Sequence, residues 1–596
     1  MSTTPPPGPP ATPGPPSDPD PDSGPPPSAP PAAAPTRTDR LLAALAGLVA
    51  GYAGLAVAAL GTVVARPEAG PVPAVGDTVV DHTPAGVKEW AIRTFGENDK
   101  RVLETGIMVL LVVLAALLGR LALRSRPAAL AGVGVLGLVG ALAAVTRPDS
   151  TSAVDALPSL AGALAAGFVL YVLAVRLPGP RTAPGPVPEG SHPAPEGRPP
   201  VPADRRRFLL TGAGVTAGAT GVLLVARATG ATRSENAAAS REALRLPRPA
   251  SPAKPVPPGA QLPVAGISPF ITPNGDFYRV DTALVVPRLD AGTWQLNVHG
   301  QGVPRARVFT LPELLRREVI ERDITLACVS NEVGGPYVGN ARWLGVRLAD
   351  LLRECGVRPP SRGGPADQLV ARSADGMTIG SPVEEVMDGR DALLAFGMNG
   401  QPLPFAHGFP VRMVVPGLYG YVSACKWLTS LELTTFAAYD AYWVPRGWAA
   451  QAPIKTQSRI DTPQAFANLA AGPRPVPVAG VAWAQHRGIS KVQVRVDDGP
   501  WRDAELGAQD SRDTWRQWVY RWHPTPGDHN LAVRAVDGTG AVQTGRTSDT
   551  MPNGATGWHT ISVTVTGGGS TAARGPGRGG VPGPGGRPGP SSWWPS

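Results

Sequence analysis

The chain has 596 residues, and Gly (72) and Pro (70) make up nearly a quarter of them, about twice the share of an average globular protein. The excess gathers in residues 1–36, 177–204, 247–263 and 565–596, which reads as tails and linkers and excludes a single compact domain. The formal net charge is +9, but the arginines sit beside apolar runs and no lysine-rich patch interleaves with aromatics, so the sign reflects membrane topology and excludes nucleic acid as the partner.

The Pro-rich head over 1–38 has no hydrophobic periodicity and is expected to stay disordered. Apolar stretches follow at Leu41–Ala65, Thr105–Leu123, Pro127–Val145, Leu157–Val175 and Phe208–Ala226, each long enough to cross a bilayer. They predict an all-α transmembrane bundle of about five spans: four over 39–178, a Pro-rich cytoplasmic linker over 179–204, and a fifth span over 205–228. Inside these stretches only Arg120 is ionisable, and none of the eight histidines falls there. An anchor is therefore expected, and neither a transporter nor a haem held by two membrane histidines.

Arg124 and Arg126 lie between the second and third stretches; Arg176, Arg181, Arg198 and Arg205–Arg207 lie between the fourth and fifth. Both loops are expected to be cytoplasmic, which makes the chain a multi-pass cell-membrane protein with everything after about residue 228 on the extracytoplasmic side. The run Asp204-Arg205-Arg206-Arg207-Phe208-Leu209-Leu210 resembles a twin-arginine export signal, while ordinary positive-inside charge accounts equally for the same arginines.

After a linker over 229–263, residues 264–470 read as a mixed α+β domain. Strands are expected at Trp294–Val298, Thr325–Val329, Phe409–Val415 and Trp427–Thr434, and helices at Leu311–Val319 and Leu348–Cys355. Residues 471–566 alternate polar and apolar positions between turn signals such as Asp498-Gly499 and Asp537-Gly538, which predicts a β-sandwich of immunoglobulin-like type. A Gly/Pro tail expected to be disordered closes the sequence at 567–596.

Chemistry has few places to reside. The three cysteines, Cys328, Cys355 and Cys425, are widely spaced and odd in number, and no CxxC or CxxCH occurs. That argues against a disulfide framework, a zinc ribbon, an iron–sulfur cluster and c-type haem. Cys328 ends a strand and opens the glycine-rich run Cys328-Val-Ser330-Asn331-Glu332-Val-Gly334-Gly335-Pro336-Tyr337-Val-Gly339; a small buried hydrophobe and a ligand sulfur are both compatible with that place. His407, Arg412 and Lys426 sit in Gly/Pro-punctuated loops around one short strand, where they form either a cationic anion site or a set of solvated loop charges.

Together these two stretches resemble the molybdopterin-binding domain of the sulfite oxidase family, in its bacterial membrane-anchored branch. Supporting segments are Phe277-Tyr278-Arg279-Val-Asp281-Thr282, Tyr442-Trp443-Val-Pro445-Arg446-Gly-Trp448 and Pro453-Ile-Lys455-Thr-Gln-Ser-Arg459-Ile. The resemblance implies an oxidoreductase with a molybdenum–molybdopterin cofactor and no haem in this chain. Cys328 matches the metal-ligating and catalytic thiolate. Arg279, Asp281, Thr282, Asn331, His407, Arg412, Ser423 and Lys426 match cofactor-binding positions, and Tyr442 matches a catalytic tyrosine or an aromatic packing position. It further implies a small-molecule substrate, sulfite or an S- or N-oxide, a separate electron-transfer partner such as a cytochrome or a quinone-linked protein, and a homodimer through the C-terminal domain. Sulfite oxidases carry an arginine at the position of Val333 and an Arg-Asn-His stretch where this chain has Asp281-Thr282-Ala283, so two cations expected for a sulfite dianion are missing. A membrane-anchored binding module that kept the fold and lost the metal is the competing reading, and retention of Cys328 with the whole cationic set speaks against it.

Overall fold

A computed structural model describes residues 36–84, 99–147, 152–177 and 203–567, with isolated positions at 87, 90, 94, 95 and 150. The head expected over 1–38, the linker over 179–204 and the tail over 567–596 lie outside the described residues, apart from their last or first positions. The chain divides into two units, Met1–Gly230 and Ala231–Ser596.

In the first unit the apolar stretches form the helices Arg37–Val64, Asp99–Leu121, Arg126–Val145 and Leu157–Val175, with a shorter helix at Pro71–His82. A fifth long helix starts at Ala203 and continues to Ala243. Among the described residues five helices are long and apolar enough to cross a membrane. The last outruns the expectation of a linker from 229, because Ala228–Ala243 is rich in Ala, Glu and Arg and the first proline after it is Pro247. Small residues set the packing of the bundle. A β-carbon on Gly47 would meet the Ala115 carbonyl oxygen at 1.9 Å, and one on Gly119 the Ala43 oxygen at 2.1 Å, so these helices touch backbone to backbone.

Among its described residues the second unit contains four sheets. One has the order β2-β1-β10-β5-β6, built from β1 (Gln295–Gly300), β2 (Arg307–Thr310), β5 (Gln368–Ser373), β6 (Thr378–Pro382) and β10 (Leu428–Thr434). Another runs β3-β4-β7-β8, with β9 on β7; its strands are β3 (Val319–Ala327), β4 (Val338–Arg347), β7 (Leu393–Met398), β8 (Gln401–Pro402) and β9 (Arg412–Val414). Short helices at Leu311–Leu315, Leu348–Glu354, Val383–Met387 and Gly420–Ser423 connect them. The mixture of strands and helices is the expected α+β kind, with more sheet and shorter helices than anticipated.

Three expected elements change, and the simplest is the strand expected over Phe409–Val415, which is confined to Arg412–Val414. The helix expected over Leu311–Val319 stops at Leu315, although a Thr310/Glu313 capping box and a proline in the first turn start it well. Val319 and Ile320 are buried and open β3 instead. That strand, expected only from Thr325, is longer because its charges are paired. Asp323 lies opposite Arg342 in the β3–β4 register and accepts from its Nε and Nη2 at 2.8 and 2.7 Å, while Arg322 reaches Asp391 at 2.5 Å. In the sequence Glu321-Arg322-Asp323 hides the alternation that pairing restores.

The remaining two sheets share a core that includes Val478, Trp518, Val492, Leu531 and Ile561. One has the order β11-β13-β17-β16 and the other β12-β19-β18-β14-β15. Their strands are β11 (Gln457–Thr462), β12 (Asn468–Ala470), β13 (Val476–Trp483), β14 (Ile489–Val496), β15 (Arg502–Asp503), β16 (Glu505–Leu506), β17 (Arg516–Trp522), β18 (Gly527–Asp537) and β19 (His559–Thr566). These sheets begin at Gln457, ahead of the boundary expected at 471, because β11 pairs with β13 from Gln457 to Thr462.

The approach of β4 to β7 gives a test. A β-carbon on Gly345 would meet the Leu394 oxygen at 2.2 Å, so Gly345→Ala should destabilise the chain by about 1–3 kcal/mol. Calorimetry on the full chain in detergent should show a lower unfolding temperature for this unit; an unchanged transition would contradict the β4–β7 register.

Candidate active site

The centre of the site is the tip of the β3–β4 hairpin. β3 ends at Ala327, paired with Val338, and Cys328 begins the connecting loop. The loop is closed by its own polar groups: the Cys328 amide donates to Tyr337 O at 2.9 Å and the Asn331 amide to Cys328 O at 3.2 Å. Asn331 Oδ1 accepts from the Tyr337 amide at 2.7 Å. Gly334 holds φ of 80°, a left-handed conformation suited to glycine, and its bare α-carbon leaves room for the His559 ring, which a β-carbon would meet at 2.2 Å. Cys328 is 7% exposed. Burial pushes its thiol up, opposed by hydrogen bonds from Ser330 and by the charge of Lys426.

The two later sheets brace this hairpin. Thr325, three residues before the cysteine, accepts from Gln485 Nε2 on its carbonyl at 2.8 Å and from the Trp515 amide on its hydroxyl oxygen at 2.7 Å. Arg459 Nη1 donates to Gly335 O at 2.9 Å. Residues of the two later sheets and their loops therefore hold the hairpin from a second side.

Beside the loop lies a buried cationic set. Arg412, on β9, is 5% exposed. Its Nη1 donates to His407 O at 3.2 Å and its Nη2 more weakly to Ala424 O at 3.4 Å, and its guanidinium stacks over the Trp343 ring at 4.9 Å. Its Nε is buried without a hydrogen-bond acceptor, and no carboxylate is paired with it among the described residues. Burial lowers its pKa to about 10, so it stays charged at neutral pH. His407 Nε2 lies 3.0 Å from Asn274 O and must carry the proton there, since a carbonyl only accepts. Burial and the neighbouring Arg412 charge push this imidazole down to about 4, so it is neutral.

Lys426 Nζ donates to Asp281 Oδ2 at 2.8 Å and to Val280 O at 3.1 Å. Burial lowers its pKa to about 8, against the pull of Asp281. Arg279 Nε shares the same Asp281 oxygen at 2.8 Å, so two cations lean on one carboxylate. Thr282 Oγ1 donates to Asp375 Oδ2 at 3.3 Å, and burial raises the pKa of Asp375. Ser423 is fully buried, with its hydroxyl 3.0 Å from the Leu418 and Tyr419 carbonyls.

These residues form one electrostatic neighbourhood. Tyr278 is pushed far up by burial and feels both Cys328 and Arg412; His407 feels Arg412, Lys426 and Arg279. Burial takes Tyr419 up to about 12, and it too feels Cys328. Arg446 stacks on the Tyr442 ring at 3.7 Å, and the Tyr442 amide donates to Thr378 Oγ1 at 3.1 Å. The sequence reading passed over Tyr278 and Tyr419 as site members, although both lie inside the segments that carried the resemblance. It also missed Trp343, the platform under Arg412, and Asp375.

Residues 283–443 match the family described as the oxidoreductase molybdopterin binding domain. Mitochondrial sulfite oxidase of Rattus norvegicus is 31% identical over 320 residues, 46% of this chain and 57% of that protein. The chain carries a molybdopterin-binding oxidoreductase domain of the sulfite oxidase family. The matched region spans little more than half the length of such relatives. Nitrate reductase [NADH] 1 of Oryza sativa subsp. japonica is 34% identical over 197 residues, 29% of this chain and 21% of that one. Among solved structures, the sulfane dehydrogenase SoxCD of Paracoccus pantotrophus is 26% identical, covers 52% of this chain and 86% of that chain, and gives a TM-score of 0.44.

The family implies a molybdenum–molybdopterin cofactor, and the residues present fit it. A buried guanidinium without a counter-charge is costly, and an anionic group on the ligand would supply what Arg412 lacks. Among the described residues no cluster of three or more His, Cys, Asp or Glu is placed to hold a metal ion; a metal delivered by a chelating cofactor needs only one further soft ligand, which the Cys328 thiol can provide.

His559 offers a pH test of the brace on the cysteine loop. Its Nδ1 accepts from the Ile460 amide at 2.9 Å, and burial beside Arg459 lowers its pKa from 6.5 to about 4. Between these values the unfolded chain binds the proton first, so the contribution of His559 is fully present above about 6.5 and is lost as pH falls toward about 4. The unfolding temperature of the full chain should therefore fall over that window, and His559→Asn should flatten the fall; equal slopes would contradict the neutral, acceptor role.

Proposed function

We propose that the chain is a membrane-anchored, extracytoplasmic molybdenum oxidoreductase that performs two-electron oxygen-atom transfer on a small substrate, sulfite or an S- or N-oxide. The observation that carries this reading is the pairing of a buried thiol, Cys328, with a buried and uncompensated Arg412. Pterin-bound molybdenum supplies the redox and atom-transfer chemistry when it is in place. Cys328 would ligate the metal, while Arg412, Lys426, Arg279 and the neutral His407 would hold the phosphate end of the pterin, with Asp281, Thr282, Asn331 and Ser423 fixing the loops that carry them. Tyr278 and Tyr419, within electrostatic reach of Cys328, would flank the substrate, and Tyr442 with Arg446 would form a further wall.

The remaining features support a consistent placement. Arginines between the second and third, and the fourth and fifth, long helices favour cytoplasmic loops and an external catalytic unit, reached through the twin-arginine-like fifth helix. Electrons would pass to or from a separate partner, a cytochrome or a quinone-linked protein. The C-terminal sandwich reads as immunoglobulin-like, and it would join two copies of the chain. Val333 lies beside Gly557, where a β-carbon would meet it at 3.5 Å; an apolar side chain at that place favours an uncharged substrate over a dianion.

Dye-linked assays of the detergent-purified full chain, expressed in a host that makes the pterin, test the reading. Cys328→Ser should lower turnover by more than about 100-fold while extractable pterin stays bound. Arg412→Met should instead lower retained pterin by about 10-fold or more, through loss of a charge-assisted contact. Unchanged turnover in Cys328→Ser, or full pterin retention in Arg412→Met, would overturn the respective assignment.

A further inference from the structure

We propose that Arg241 is a positioning residue for the candidate cofactor site: it holds the loop that carries His407 and so sets where His407, Arg412 and Lys426 stand. The proposal rests on the molybdopterin reading of that site. From Ala231 on, the helix Ala203–Ala243 belongs to the second unit, and Arg241 lies in its last turn. Arg241 Nε donates to Leu403 O at 2.7 Å and its Nη2 to Pro402 O at 2.8 Å, a two-pronged, charge-assisted grip. The helix end itself is docked. Ser240 Oγ accepts from the Ala291 amide at 3.1 Å, Ala237 is buried, and Leu244 and Leu246 pack against the core.

The sequence of the gripped segment explains why a cation is needed there. β8 is a two-residue strand at the edge of its sheet, paired with β7. Pro402 and Pro404 have no amide hydrogen, and the Leu403 amide already donates to Phe396 O at 3.1 Å. This edge can only accept, and one guanidinium serves both of its carbonyls. The site follows at once. Phe405–His407 form a single turn closed by the His407 amide on Pro404 O at 2.9 Å, and Gly408 holds φ of 105°. A β-carbon on Gly408 would stand 3.0 Å from Lys426 Cα and 3.1 Å from Arg412 Cβ, while Arg412 Nη1 donates to His407 O. The turn lies directly against both cations, so a shift at Pro402–Leu403 is passed on to them through the backbone.

Hydrogen–deuterium exchange on the full chain in detergent reads the grip without needing the cofactor. Arg241→Met should speed exchange in peptides spanning Leu403–Phe409 by roughly 10-fold, through loss of hydrogen bonds from a charged donor, and leave β18 unchanged. Arg241→Lys, which keeps a cation able to reach the carbonyls, should restore most of the protection, and Arg245→Met, which removes an exposed arginine four residues later, should change nothing. In protein from a host that makes the pterin, the cofactor should leave Arg241→Met roughly 5–10-fold faster than it leaves the wild type. Should Arg241→Met fail to fold, Arg241→Gln, neutral and shorter, carries the same comparison. Equal exchange over Leu403–Phe409, acceleration spread evenly over the unit, no rescue by Arg241→Lys, or faster exchange without faster pterin loss would overturn the proposal. Absence of pterin from folded wild-type chain would overturn the molybdopterin reading instead, and the exchange comparison would still decide what Arg241 does to the loop.

Discussion

A buried positive charge with no carboxylate paired to it among the described residues organises the candidate site. Arg412 is buried on β9, its guanidinium faces the Trp343 ring, and its Nη groups reach backbone carbonyls only. Protein interiors seldom tolerate such a group unless a ligand completes it. The neighbours are arranged to keep the deficit. His407 is held neutral by burial and by Arg412 itself, and the Asp281 carboxylate is divided between Lys426 and Arg279. The result is a buried cationic set beside two buried thiols, Cys328 and Cys425.

The position of the Cys328 thiol depends on residues far away in sequence. The β3–β4 hairpin aims Cys328, but Gln485, Trp515, Arg459 and His559 hold the hairpin's end and its loop from the sandwich side. Thr325 is contacted by both Gln485 and Trp515, so the strand feeding the cysteine cannot shift without breaking bonds across the two pairs of sheets. Metal ligands need this kind of support, because a group that is present but poorly held binds weakly. The sandwich is thus a structural part of the site even though it brings no cluster of chemical groups of its own.

Much of this was legible in the sequence, for identifiable reasons. The long helices are visible because apolar runs without charge have few other meanings, and β19 because Ile561, Val563 and Val565 alternate cleanly. The cationic set and Cys328 were legible through motif resemblance, since residue types alone left solvated loops and a buried cysteine open. β3 was truncated in the reading because Arg322 and Asp323 look like solvent-facing residues until Asp391 and Arg342 are placed beside them. The helical extension to Ala243 was missed because a linker was inferred from the end of the apolar run, whereas helix propensity continues past it. Tyr278 and Tyr419 escaped notice because their relation to Cys328 exists only once three separate segments meet.

The account rests on Cys328 completing the coordination of a pterin-bound molybdenum, and X-ray absorption fine structure at the molybdenum edge addresses that directly. The measurement compares the wild-type chain with Cys328→Ser, both purified in detergent from a host that makes the cofactor. The wild-type spectrum should require one sulfur ligand more than the variant's. An identical sulfur shell in the two proteins, or no molybdenum in folded wild-type chain, would contradict the assignment.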